Sequence, residues 1–420
     1  MKLLQILFKA ILSLGLCYCA YLVVVRAIAH WHFRYQPAPE GILKAMEWTP
    51  QDPEYYASLA RSYQRSVGEG SPEKIVELYE KATQLGPSRA SYWIELGDAY
   101  DLSGQEAPAE RAYERAQELF PQSPEINWRL GNFYIRTGKT TAALPAMRKA
   151  MLGDPRLRSP AFDLAWRAGA DAELILQTLL PPQPETYFEY IGYLLRTRHL
   201  DEADQVWDRL VALGLSFEPP AAFFYLDALI QNRRVEKLEA AWQMLIEKNS
   251  ARIRQRLNDQ SRVTNGEFEG EILNGGLEWR IHAVEGALVT LDNLFFFDGA
   301  RSLRIRFDGK QNLDYNHVSQ YIPVKPNTSY QFLGYMRAEK ITTDSGPRFE
   351  VQDAYDPSKL FLATEGLVGT SSWTPERLDF RTGPNTQLLI LRVARPPSHR
   401  FDNQIAGTVW IDRLSLLPVQ

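Results

Sequence analysis

At 420 residues the chain exceeds one ordinary domain, and its 45% hydrophobic and 23% charged residues exclude wholesale disorder. A formal net charge of -4 leaves no basic footprint for nucleic acid, which is not expected as a partner. The only two cysteines, Cys17 and Cys19, lie in an apolar N-terminal stretch, so the rest of the chain carries neither a disulfide nor a thiolate metal site.

Residues 3–25 hold one charge, Lys9. As a helix they would rise roughly 34 Å, enough to cross about 30 Å of hydrocarbon. Arg26, Trp31, Phe33, Arg34 and Tyr35 follow, the aromatic and basic mix of a membrane interface. The competing reading is a secretory signal, since Ala27-Ile28-Ala29 has a small-x-small form. The apolar run is long for a signal and Arg26 intrudes, so residues 1–35 are read as an uncleaved single-pass anchor. Leu16 and Tyr18 stand before the cysteines where a lipobox needs small residues. Lys2 and Lys9 on one side face Arg26 and Arg34 on the other, so charge does not set the orientation.

From 36 to 257 the sequence repeats. Trp93, Leu96, Gly97 and Tyr100 are followed by Ala109, Tyr113, Ala116 and Pro121. Thirty-four residues later, Leu130, Gly131 and Tyr134 come in register, then Ala143, Met147, Ala150 and Pro155. An earlier copy runs from Tyr56, Leu59, Ala60 and Tyr63 through Ile75, Tyr79, Ala82 and Pro87. Each copy places one apolar stripe on each of two helices, and the prolines fix the turn to the next copy. The pattern decays downstream: a fourth unit around Leu164, Ala165 and Ala168 has a shortened second helix. Pairs near Gly192 to Leu210 and 223–249 complete five or six units, and Ala38, Ile42, Ala45 and Pro50 look like a leading cap helix.

In period and residue types this resembles the tetratricopeptide repeat family. The resemblance implies an all-α solenoid whose concave groove holds a peptide or protein partner. Trp93 and Trp128, at repeat spacing, are assigned to the core rather than to a ligand.

After "ARIRQRLNDQS", read as a charged helix, the period becomes two. "SLRIRF", "SYQFLGYMR", "RFEVQDAY", "ERLDFRT", "QLLILRVAR" and "TVWIDRLSLLP" are short strands separated by turn signals such as Asp308-Gly309 and Gly383-Pro384. No helices intervene, which points to an antiparallel β-sandwich or jelly roll over 258–420. The expected whole is therefore multidomain α + β: anchor 1–35, solenoid 36–257, sandwich 258–420.

The ordered set "VTNGEFEG", Trp279, "DGARSLRIRF", "VSQYIPVKPNTSYQFLGYMRAE", "GTSSWTPERLDF" and "GTVWIDRLSLLP" resembles the galactose-binding-like jelly roll of family-4 and family-9 carbohydrate-binding modules. The resemblance implies that "VTNGEFEG" is a first strand lying beside the last. It also implies a structural calcium at Glu269 and Asp412, with the 298–302 turn, Asp298 to Ser302, lending carbonyls. Calcium takes six to eight oxygens, and only two carboxylates are assigned here; the alternative is that Glu269 and Asp412 bind backbone amides. Glu267 is expected to face solvent.

Glycan binding by such a module would use aromatic rings and planar polar groups. The candidates are Tyr315, Tyr321, Tyr335, Arg337, Gln352 and Arg392, with His317 and Tyr355 as further members. Trp279, Trp373 and Trp410 are assigned to the core. No stretch is read as presenting two adjacent exposed aromatics, so an aromatic platform is not evident, and a module kept only for protein contacts is the alternative.

Catalytic signatures are lacking: the six histidines include no i, i+4 zinc pair with an intervening Glu, and no nucleophile elbow, phosphate loop or dinucleotide fingerprint occurs. Acidic runs such as "DEAD" read as solvated helix faces, which leaves an envelope glycoside hydrolase as a minor reading. The expectation is a non-catalytic adaptor in the inner membrane. Its globular part would be periplasmic, with a protein partner in the groove and a carbohydrate on the sandwich.

Overall fold

The computed structural model of the chain describes residues 2–66, 70–248 and 261–419, with side chains from residue 5 onward. The expected charged helix over 251–261 lies almost wholly outside the described residues. By compactness the chain divides into two units, Met1–Leu215 and Ser216–Gln420.

The first unit begins with α1 (Lys2–Tyr35). Residues Gln5–Tyr35 are long and apolar enough to cross a membrane, and none of their apolar window is buried. The last turns of α1 do pack. Ala29 is fully buried in one cluster with Ile42, Ala45 and Tyr55, and the Phe33 and Tyr55 rings lie 5.0 Å apart. A single helix, α2 (Glu40–Trp48), follows as the cap.

Three helix pairs come next: α3 (Pro53–Arg65) with α4 (Pro72–Leu85), α5 (Ala90–Leu102) with α6 (Glu106–Leu119), and α7 (Pro124–Arg136) with α8 (Thr140–Gly153). Proline at the first helical position recurs because its missing N–H costs nothing there, and Asp52, Ser71 and Ser123 cap the amides behind it. The repeated glycines answer to packing. A Cβ on Gly97 would lie 2.9 Å from the Tyr113 ring, and one on Gly131 would lie 2.8 Å from Met147. The shortened second helix of the next unit is present: α9 (Arg158–Arg167) is followed by α10 (Ala172–Leu174), which runs into a π-turn at Ile175–Leu179. The unit closes with α11 (Pro184–Arg196) and α12 (Leu200–Ala212).

The second unit contains one more helix pair, α13 (Phe223–Gln231) and α14 (Val235–Lys248), together with all the strands. The expected boundary at 257/258 thus differs from the division at 215/216, because this pair packs on the strands' side of the chain. A Cβ on Gly275 would lie 2.3 Å from Phe223, and one on Gly276 would lie 2.6 Å from Trp242. Arg262 pairs with Glu239, and Arg280 with Asp227.

Among the described residues ten strands form two antiparallel sheets. They are β1 (Arg280–Ile281), β2 (Ala287–Asp292), β3 (Ser302–Asp308), β4 (Tyr315–Pro323), β5 (Ser329–Ile341), β6 (Arg348–Asp353), β7 (Phe361–Ala363), β8 (Gly369–Arg381), β9 (Leu388–Arg395) and β10 (Ala406–Pro418). The orders are β1-β4-β9-β6-β7 and β2-β3-β10-β5-β8. Alternate residues of both sheets, including Ile305, Phe332, Val409, Val351 and Leu391, share one hydrophobic cluster.

"VTNGEFEG" is not a strand. Asn265 and Phe268 take positive φ, and the segment turns on itself so that Phe268 and Trp279 enter the core. It does lie along the last strand: Leu414 donates its N–H to the Gly266 carbonyl at 2.8 Å, an approach that leaves no room for a Cβ at 266. Glu267, expected in solvent, is half-buried.

Candidate functional site

In the first unit the first helices of successive pairs line a groove of about 750 Å³. Gln64, Asp98, Asp101, Leu102, Arg129 and Arg136 stand on its walls. Because the repeat is 34 residues, one charged position recurs from helix to helix and its copies meet across the gap. Arg61 of α3 binds both carboxylate oxygens of Glu95 on α5, at 2.7 and 3.0 Å, and reaches Glu54 at 2.7 Å. Arg129 and Arg136 of α7 pair with Asp98 and Asp101 of α5. Tyrosines of the second helices brace the same row: Tyr79 donates to Gln64 at 2.9 Å and Tyr113 to Asp98 at 2.6 Å.

Burial opposes ionisation of Glu54, but hydrogen bonds from Arg61 and Tyr92 hold its carboxyl below the usual range. At Asp98 burial prevails over Tyr113 and Arg129 and pushes the carboxyl up. The wall is thus a set of internally paired, partly desolvated charges with an exposed apolar residue, Leu102, beside them.

In the second unit the four expected metal residues do come to one loop, 292–302, between β2 and β3. Their oxygens, however, already accept N–H groups. Glu269 Oε1 accepts from the amides of Ala300 (2.6 Å) and Arg301 (3.0 Å). Asp412 Oδ2 accepts from Phe297 (2.7 Å) and Asp298 (3.1 Å), and its Oδ1 from Arg413 (2.7 Å). Ser302 Oγ donates to the Phe295 carbonyl, and Asp298 pairs with Arg413. The Arg301 guanidinium donates to the carbonyls of Glu269 and Gly270. Amides hold the Glu269 and Asp412 carboxylates, Arg413 holds that of Asp298, and the Arg301 guanidinium occupies the nearby carbonyls. The oxygens left free are too few to fit calcium, which takes six to eight. Among the described residues no group of three or more His, Cys, Asp or Glu gathers to hold a metal. Burial pushes the Asp412 carboxyl up to about 6, against the pull of its amide partners.

The expected ligand residues fall on different surfaces. Tyr315 is fully buried, its ring 5.4 Å from Phe307, so it offers nothing to a ligand. Tyr321, Gln352 and Arg392 share the outward side of the β1-to-β7 sheet. There Arg392 bridges Glu350 and Gln352, and Arg348 binds Glu350 at 2.7 Å. Tyr321 lies under the Arg280 guanidinium, and Tyr355 donates to the Ile230 carbonyl at the end of α13. His317, half-buried, has its pKa lowered by burial and by His282.

Tyr335 and Arg337 stand on the other sheet. The Tyr335 ring stacks on Phe297 at 3.8 Å, and the Arg337 guanidinium lies over Phe295 at 4.5 Å and Trp410 at 5.3 Å. Trp279 and Trp410 are in the core as expected, whereas Trp373 is half-buried, edge-on to Phe297. An aromatic surface therefore exists where none was expected, since Phe295, Phe296 and Phe297 are 37%, 40% and 38% exposed. The signal was in the sequence: three consecutive rings cannot all face a core from one strand or turn.

A tetratricopeptide repeat model matches residues 90–123 and 124–155. The chain is 34% identical over 100 residues to the cytochrome c-type biogenesis protein CycH of Pseudomonas aeruginosa, covering 23% of this chain and 24% of that one. It is 31% identical over 107 residues to cellulose synthase operon protein C of Pseudomonas fluorescens, covering 26% and 8%. The chain thus spans a quarter or less of these relatives' lengths. Among solved structures, a CBM4 protein is similar at 14% identity and a TM-score of 0.29, over 37% of this chain and 99% of that one. Residues 90–155 are thus tetratricopeptide repeats, within a helical region that is followed by two antiparallel sheets.

Proposed function

We propose that the protein is a membrane-tethered, non-catalytic adaptor whose repeat groove holds a segment of a protein partner. The observation that carries this reading is the groove itself: about 750 Å³, open on the first helices of three repeats, and walled by charges that are paired across repeats. The tether is residues 5–35, read as an inner-membrane anchor with the globular part on the periplasmic side. Ala29 supports retention of that helix, because cleavage after it would remove a fully buried residue from the solenoid core. The names of the two relatives, in cytochrome c biogenesis and a cellulose synthase operon, agree with an envelope assembly role.

The sheets are proposed to engage a glycan or another envelope component through the Arg348, Glu350, Gln352 and Arg392 cluster, placing the protein beside polysaccharide export or similar machinery. The second reading, a scaffold whose sheets bind no sugar, is favoured by the internal pairing of that same cluster. A glycan array probed with the full chain separates the two. Binding that is lost on Arg392→Ala supports the first, and no binding above background supports the second. For the groove, the double charge reversal Arg129→Glu with Arg136→Glu is expected to abolish partner recovery from detergent-solubilised membranes while leaving the thermal midpoint within a few degrees. Unchanged recovery would contradict the groove assignment.

A further inference from the structure

Loop 293–301 combines two properties that seldom coincide. Its first half is apolar and partly exposed: Leu294 is 77% exposed, and the three phenylalanines that follow are 37%, 40% and 38% exposed. Its backbone N–H groups, by contrast, are mostly engaged. Of the eight N–H groups from 294 to 301, Asp292 Oδ1 accepts those of Leu294 and Phe295, and Asp412 Oδ2 those of Phe297 and Asp298. Asp298 Oδ1 accepts that of Gly299, and Glu269 Oε1 those of Ala300 and Arg301, so seven of the eight are engaged. Gly299 permits this last approach, with positive φ and no Cβ in the way of Glu269. Of these four carboxylates Asp298 lies in the loop itself, and the other three come from β2, β10 and the turn after Asn265, so the loop is pinned from three elements.

We infer that this loop is a second membrane contact, inserting Leu294 and the phenylalanine rings into the interface of a phospholipid bilayer. Hydrocarbon supplies no hydrogen-bond partners, so a segment that enters it must bring its own; a protein partner would impose no such condition. Beneath the loop the sheet carries Arg304, Trp410 and Arg337 in one register row, with the more exposed Arg306 beside them. The exposed Arg306 at that level suits the headgroup zone, where guanidinium meets phosphate. The same chain carries the apolar helix 5–35, which brings a bilayer within reach. The inference rests on that membrane placement.

The test uses the full chain with Cys17→Ser and Cys19→Ser, reconstituted in phosphatidylcholine nanodiscs with and without phosphatidylglycerol. An environment-sensitive fluorophore is attached at Asn293→Cys in one sample and at Leu22→Cys in another. The loop probe is expected to shift to the blue and to be quenched by nitroxide-labelled lipid. Both effects should be lost in a Leu294→Ser, Phe296→Ser background whose thermal midpoint is preserved. A loop probe that stays aqueous while the Leu22 probe is quenched overturns the loop contact and leaves the anchor standing; two aqueous probes overturn both. A loop probe aqueous in nanodiscs but buried in native membranes would assign the loop to a membrane-resident protein, which also overturns the lipid contact.

Discussion

Arg301 decides what the acidic residues around it can do. Its guanidinium sits on the carbonyls of Glu269 and Gly270 while its own amide binds the Glu269 carboxylate. Chelation by EDTA is accordingly expected to leave the thermal midpoint unchanged, and Arg301→Gln to lower it by roughly 4 °C or more, the loss of about 1–2 kcal/mol of charge-assisted hydrogen bonding. Differential scanning calorimetry with and without calcium reads both, and a rise with calcium in the unmodified chain would contradict the assignment. The contact of Arg301 with the Glu269 and Gly270 carbonyls was not legible in the ordered motifs. Nothing at position 301 in the sequence says that its side chain folds back on the turn after Asn265.

A second residue titrates. Burial pushes the Glu278 carboxyl up to about 7, against hydrogen bonds from Asn265 and the Leu273 amide. Its folded pKa lies above that of the unfolded chain, so the folded state holds a proton that the unfolded state releases between about pH 4.5 and 7. Its contribution to stability is present at low pH and is lost as pH rises through that window. The Glu278→Gln variant should therefore gain stability relative to the unmodified chain as pH rises from 5 to 8, measured as the difference in thermal midpoint at each pH. A difference that stays constant would show that Glu278 is ionised throughout.

At the level of elements, the repeats were readable because their packing is local and periodic. Gly97 against Tyr113 and Gly131 against Met147 are helix-to-helix contacts within one pair, so the residue types state the contact. Replacing Gly97 with Val should overpack that contact and destabilise the fold by about 1–3 kcal/mol, seen as a lower midpoint in urea. The strands were readable from their period-two pattern. The opening segment was misread as a strand because its Asn265 and Phe268 take left-handed backbone that no propensity at 268 announces. The phenylalanine loop was missed for a related reason: its stability comes from Asp292, Glu269 and Asp412, which are distant in sequence and reveal themselves only when the chain is folded. The apolar N-terminal helix belongs to this scale as well. An N-terminal epitope tag should remain on the mature protein, since α1 continues through Ala29 into the solenoid core; a processed N-terminus at or near Ala29 would contradict retention.

For the whole molecule, an apolar N-terminal helix, a helical repeat region and two antiparallel sheets follow one another on one chain. The scaffold is the part whose geometry most directly implies a partner. Where the two compact units divide could not be read from the change of alphabet near 258, because α13 and α14 look like a repeat in sequence yet pack with the strands. The most direct measurement is site-specific photocrosslinking in native membranes from Leu102, which is 80% exposed on the groove wall, compared with Glu118 on α6 outside the groove lining. The adaptor account predicts one discrete adduct from Leu102, absent from Glu118 and lost when Arg129 and Arg136 are reversed to Glu. No adduct from Leu102, or the same adduct from both positions, would contradict it.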